Sequence, residues 1–101
     1  MADLEKEKLV FDLSSKTYNG GAAVDIPENT NAILVVNIGT VLITVNGFPL
    51  NPALAPGQNG ESWTMGGNRG EVIQRKELDI VFAAAGGLAF IQFKWYVKNF
   101  C

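Results

Sequence analysis

Apolar residues in this chain recur at every second position far more often than at every third or fourth. Lys8–Leu13 sets Leu9, Phe11 and Leu13 on one side and Val10 and Asp12 on the other, and Ala22–Ile26 does the same with Ala22, Val24 and Ile26. A period of two is that of a half-buried strand. Pro27 closes the second run, and Glu28-Asn29-Thr30-Asn31 has the residue types of a turn. Ala32–Ile38 is almost continuously apolar, which predicts a central strand covered on both faces. Gly39-Thr40 reads as a turn or bulge, and Val41–Val45 resumes the alternation with Val41, Ile43 and Val45 on one face. Asn46-Gly47 then reverses the chain, because both residues tolerate the positive φ of a tight hairpin turn. The return strand, Phe48-Pro49-Leu50, carries a proline and so belongs at a sheet edge.

The segments between these runs read as loops. Ser14–Gly21 holds Ser-Ser and Asn-Gly-Gly, and Asn51–Gly60 (NPALAPGQNG) holds two prolines and two glycines. Glu61–Met65 is a short strand with Trp63 and Met65 on one side, followed by the glycine-rich turn Gly66–Gly70. Val72–Gln74 is a further candidate strand, Arg75–Glu77 a charged connection, Leu78–Phe82 a strand and Ala83–Gly87 a small-residue turn. Leu88–Lys98 is the longest candidate. Ala89, Ile91, Phe93, Trp95 and Val97 form its apolar face, and the opposite face turns polar toward Lys98. No window holds a capped helical period. Seven to nine short strands at near-regular spacing predict an all-β fold, a single small β-sandwich of jelly-roll or immunoglobulin-like type. The first and last strands are free to pair and close it. Residues 1–7 form a polar N-terminal arm, and 8–101 the sandwich domain.

At 101 residues the chain makes one domain. A domain of this size buries about two-thirds of its unfolded surface and gains from a partner. The net charge of −2, with the eight Lys and Arg scattered, gives no field for polyanions, so nucleic acid is not an expected partner. No apolar run reaches the roughly 20 residues of a membrane helix, and MADLEKEKLVF has no apolar signal region, so synthesis in a cytoplasm and no membrane partner are expected.

Candidate chemistry is sparse. The chain has no histidine, which removes the commonest general base and transition-metal ligand and every Ser-His or Cys-His device. Cys101 is the single cysteine; its position permits a bridge to another molecule, and a free thiol in a reducing compartment is the simpler reading. Gly66-Gly67-Asn68-Arg69-Gly70 has the glycines of a phosphate loop, but Glu71-Val72-Ile73 follows with no helix signal, so the turn reads as structural. Three carboxylate pairs, Asp25 with Glu28, Glu61 with Glu71 and Glu77 with Asp79, have the residue types of acid–base catalysis. Charged neighbours such as Arg75 and Lys76 make a solvated edge the simpler reading. No catalytic residue, cofactor or metal is expected.

Four residues stand out as candidates for interaction with another molecule. Trp63 lies between a polar loop and a glycine turn, and Arg69 sits in that turn. Tyr96 and Phe100 flank an unusually apolar chain end, which suits packing against a neighbouring subunit. The expected contact regions are Asn51–Gly60, Ser62–Arg69 and Tyr96–Cys101.

The run Asn31–Trp63 resembles segments of small bacteriophage virion proteins. The shared pattern is a hydrophobic strand, then VNGFPL (Val45–Leu50), a Leu-Ala-Pro-Gly turn (Leu54–Gly57) and a short strand led by Glu61-Ser62-Trp63. Related phrases occur in capsid decoration, head-fibre and tail-associated β-sandwiches. Here NPALAPGQNGES is longer than their tight Pro-Gly-x-Ser version. Cupins share this turn chemistry, but their metal cluster needs the histidines this chain lacks. The resemblance implies a small jelly-roll or immunoglobulin-like sandwich, often trimeric, without catalytic residues. The function expected is that of a non-enzymatic virion structural protein, a capsid decoration or cement protein that binds the major capsid or another virion protein and its own copies. A homo-oligomer, with a trimer favoured, goes with it. The alternative is a carbohydrate- or host-surface-binding module using Trp63, as in a head fibre or tail component.

Overall fold

The computed structural model describes residues 10–55, 58–68 and 70–97. It contains eight strands: β1 (Val10–Tyr18), β2 (Ala22–Asp25), β3 (Thr30–Asn37), β4 (Ile43–Val45), β5 (Phe48–Leu50), β6 (Ser62–Gly66), β7 (Glu77–Phe82) and β8 (Ala89–Val97). They form two four-stranded antiparallel sheets, sheet A in the order β1-β8-β3-β6 and sheet B in the order β2-β7-β4-β5.

That order has a simple origin. Asn46 and Gly47 both take positive φ, 52° and 84°, and fold β5 back on β4 in a two-residue turn. Every other strand upstream of the turn then pairs with one downstream of it, as Ala32 with Gly66, Ala22 with Ile80 and Val10 with Val97. The chain is a long hairpin rolled up so that successive nested pairs alternate between the sheets. This is the jelly-roll arrangement, and it selects one of the two topologies the sequence left open.

The core lies between the sheets. Sheet A contributes Ile33, Val35, Ala89, Ile91 and Phe93, sheet B contributes Val24, Ile43, Val45, Leu50, Leu78 and Ile80, and all are buried. Ile26, Trp63, Met65, Ile73, Phe82 and Trp95 pack on its margins. Burying apolar area at about 25 cal/mol per Å² is the main drive that holds the layers together.

Three expectations are corrected. Ser14–Tyr18 is strand rather than loop, because Ser14 to Tyr18 pair with Phe93 to Ala89. The ladder from β8 supplies the order that the Ser-Ser sequence does not. Val72–Gln74 forms no strand; the Ile73 N–H donates to the Thr30 carbonyl at 2.8 Å, and the Ile73 side chain packs against the core. The central strand β3 lies between β8 and β6, but it is buried on one face alone, with Ala32, Leu34 and Val36 half-exposed on the other. No described element covers that side.

Candidate interaction surface

The outward side of sheet A is built by the register of its strands. Phe11 lies beside Tyr96. From β1 through β8 to β3 the rows run Leu13–Lys94–Ala32, Ser15–Gln92–Leu34 and Thr17–Phe90–Val36. Ser62, Thr64 and Gly66 complete the rows on β6. The face is therefore an apolar field of Phe11, Leu13, Leu34, Val36 and Phe90 set among hydroxyls. Lys94 is its one charge among the described residues, and its Nζ lies 3.9 Å from the centre of the Phe11 ring. Leu13 is 55% exposed. A shallow groove runs across the face between Leu13, Leu34, Thr64 and Lys94.

A second apolar feature is the loop after β5. Its base is tied by the Glu61 N–H to the Asn51 carbonyl (2.9 Å), the Asn51 N–H to Glu61 Oε1 (2.7 Å) and the Gly60 N–H to the Asn37 carbonyl (2.7 Å). From this fixed base Leu54 projects with 99% of its surface exposed. A leucine held out by a clamped loop is a ready anchor for a partner.

The residues singled out from the sequence separate. Trp63 stands opposite Val35, on the core side of β6, and packs half-buried against the core. It supplies no open aromatic platform. Tyr96 is on the outward face, with its ring 4.7 Å from Phe11. Its hydroxyl accepts the Gly70 N–H at 2.6 Å, so it also fastens the glycine turn to the sheet. Arg69, Phe100 and Cys101, with the 1–7 arm, lie outside the described residues.

The glycine turn is committed to the fold. Gly66, Gly67 and Gly70 adopt positive φ, where a Cβ would be strained. The Gly67 N–H donates to the Asn31 carbonyl (2.9 Å), the Gly70 N–H to Tyr96, and the Asn68 N–H to Glu71 Oε1 (3.4 Å). Buried Asn31 uses both Nδ2 protons on the carbonyls of Asn68 (2.7 Å) and Glu71 (2.8 Å). The Tyr96 hydroxyl crowds the same nitrogen at 3.2 Å, and Asn31 Oδ1 is left without a partner. Backbone amides spent in this way cannot cradle a phosphate.

The carboxylates have structural neighbours too. Glu61 and Glu71 each clamp a loop, while Asp25, Glu28, Glu77 and Asp79 are exposed. Among the described residues no cluster of three or more His, Cys, Asp or Glu has the grouping of a metal site.

The outward face was hidden from sequence reading for a definite reason. Alternation separates two sides of a strand without saying which one meets the core. Phe11 and Leu13 are the apolar side of β1, yet they align with Tyr96 and Lys94, the polar side of β8. Comparison of the chain with protein-family models, curated proteins and solved structures finds no match.

Proposed function

We propose that this chain is a non-enzymatic virion structural protein of the capsid decoration type, which docks on a particle surface through apolar contacts. The observation that carries the reading is the outward face of sheet A, where Leu13, Leu34, Val36 and Phe90 are left without a covering layer. A face of this kind on a small domain is a binding surface or a liability. Leu54, held out on its clamped loop, is a second exposed apolar anchor. The jelly-roll strand order supports the reading by analogy, since capsid and lectin domains use it. Burial on a particle that binds the folded chain and not the unfolded one stabilises both by mass action.

The test starts with purified particles encoded by the same genome as this chain. The chain should be found in them by mass spectrometry, and it should rebind to particles assembled without it. Leu54→Ser and Leu34→Ser/Phe90→Ser should weaken rebinding while leaving the far-ultraviolet circular dichroism unchanged. Absence of the chain from particles, or rebinding indifferent to all three substitutions, overturns the reading.

A further inference from the structure

The edge strand β1 has a neighbour on one side alone among the described strands. It spans nine residues and pairs with β8 along its whole length. Asp12, Ser14 and Lys16 continue the core side of β8 but are exposed, and Leu13, Ser15 and Thr17 are exposed on the other side. Neither proline nor glycine interrupts it, and its register with β8 runs without a bulge. Long unbroken edges of this kind are templates for another strand.

The orientation of its free hydrogen-bonding groups follows from two bonds. The Tyr96 N–H donates to the Asn29 carbonyl, on the β3 side of β8 and away from β1. Its neighbour Phe11 therefore directs its N–H and C=O off the sheet, and the alternation of an antiparallel ladder extends this to Leu13, Ser15 and Thr17. Consistently, the Leu13 N–H is taken by the Asp12 side chain at 2.9 Å rather than by β8.

We infer that β1 pairs antiparallel with β1 of a second copy, about a two-fold axis through Ser14, to make one continuous eight-stranded sheet. The occupant is fixed by the strand's own sequence. With Ser14 opposite Ser14, Leu13 meets Ser15 and Phe11 meets Thr17, and these are the residues whose backbone groups point outward. Asp12 then faces Lys16 of the other copy, twice. Directly opposed unlike charges favour a register and like charges oppose it. Shifting the axis to Leu13 or Ser15 leaves both charges unmatched and shortens the ladder. The Asp12 carboxylate, on moving to the lysine, releases the Leu13 N–H for the new ladder. Closure by this edge is two-fold, in place of the three-fold assembly implied by the resemblance. The inference stands on the edge geometry alone, so particle binding can fail without it and the converse also holds.

Sedimentation velocity of the full chain under reducing conditions, over a range of concentrations, should show a monomer–dimer equilibrium. Ser15→Pro removes an outward N–H while sparing the β8 ladder, and it should give a monomer with an unchanged circular dichroism spectrum. Asp12→Lys should weaken association by about tenfold or more, since it turns two attractions into two repulsions. Adding Lys16→Asp should restore it, a readout that holds even if the proline variant does not fold. In a Cys101→Ser background, Ser14→Cys should cross-link on oxidation, because non-hydrogen-bonded antiparallel pairs bring Cα atoms to about 4.5 Å, within disulfide range. Ser15→Cys should not. A monomer at every concentration, a trimer, a dimer indifferent to Ser15→Pro and to the charge exchange, or equal cross-linking at both positions would overturn the inference.

Discussion

Asn46 and Asp79 grip each other twice across the junction of β4 and β7. The Asn46 N–H donates to the Asp79 carbonyl at 2.8 Å, and the Asp79 N–H donates to Asn46 Oδ1 at 2.9 Å. Asn46 is also the first residue of the hairpin turn and sits at φ 52°. One side chain thus supplies both the left-handed backbone and the acceptor that ends the β7 ladder. Asn46→Ala loses both, and it should cost about 1–3 kcal/mol from the bond and the left-handed backbone together. Asn46→Asp keeps the acceptor and a residue type that tolerates this φ, so its loss should be smaller. Urea unfolding of the two variants measures the difference, and equal costs would refute the role given to Oδ1.

Asn37 closes the other end of β3. It is fully buried, donates through Nδ2 to the carbonyls of Val41 and Leu50 at 2.9 Å each, and accepts the Gly39 N–H through Oδ1 at 3.0 Å. These three bonds tie the Gly39–Val41 loop to the end of β5. Asn37→Leu leaves two carbonyls and an N–H without partners inside the protein. Each orphan costs about 1–3 kcal/mol, so the variant should lose most of the stability of a domain this small. Asn37→Asp should fare nearly as badly, because a carboxylate cannot donate to the two carbonyls. Thermal unfolding followed by circular dichroism decides it. A near-native midpoint for either variant would mean that the loop has other support.

The rolled hairpin was partly legible because its signals are local. Asn46-Gly47 marks the reversal, Pro49 marks an edge, and the alternation in Leu88–Lys98 marks the face that carries Ala89, Ile91 and Phe93. The division of strands between two sheets is not local. It depends on nested pairings such as Ala22 with Ile80 and Val10 with Val97, which no short window contains. Ser14 and Ser15 lack the side chains of a strand, and β8 alone orders them. Likewise nothing near Trp63 says that it faces Val35, so a residue suited to binding turns out to be part of the core margin.

Gly39 and Gly20 should respond to the same substitution in opposite ways. A Cβ on Gly39 would run into the backbone nitrogen of Leu88, with Gly87 crowding it from behind at 3.0–3.1 Å. Backbone cannot step aside as a flexible side chain can, so Gly39→Ala should cost about 2–4 kcal/mol, at the high end for single substitutions. A Cβ on Gly20 meets nothing within 4 Å. Gly20→Ala should be neutral or stabilising by about 0.4–1 kcal/mol, through the lower entropy of the unfolded chain. Paired denaturant midpoints test both, and comparable losses at the two sites would contradict the packing described.

Tyr96 separates a structural role from a binding role. Its hydroxyl holds the Gly70 N–H at 2.6 Å, and its ring lies against Phe11 on the outward face. Tyr96→Phe keeps the ring and removes the hydroxyl. The Gly70 N–H is exposed enough for water to replace the lost partner, so the cost should be about 1 kcal/mol. Amide exchange should quicken at Gly67 and Gly70, whose bonds fasten the turn to the sheet, and stay unchanged at Ile91 in the core. Particle binding should survive, since the apolar face keeps its ring. Tyr96→Ser removes the ring as well, and it should weaken binding while costing more stability. If Tyr96→Phe abolished binding without quickening exchange in the turn, the hydroxyl would belong to the partner rather than to the fold.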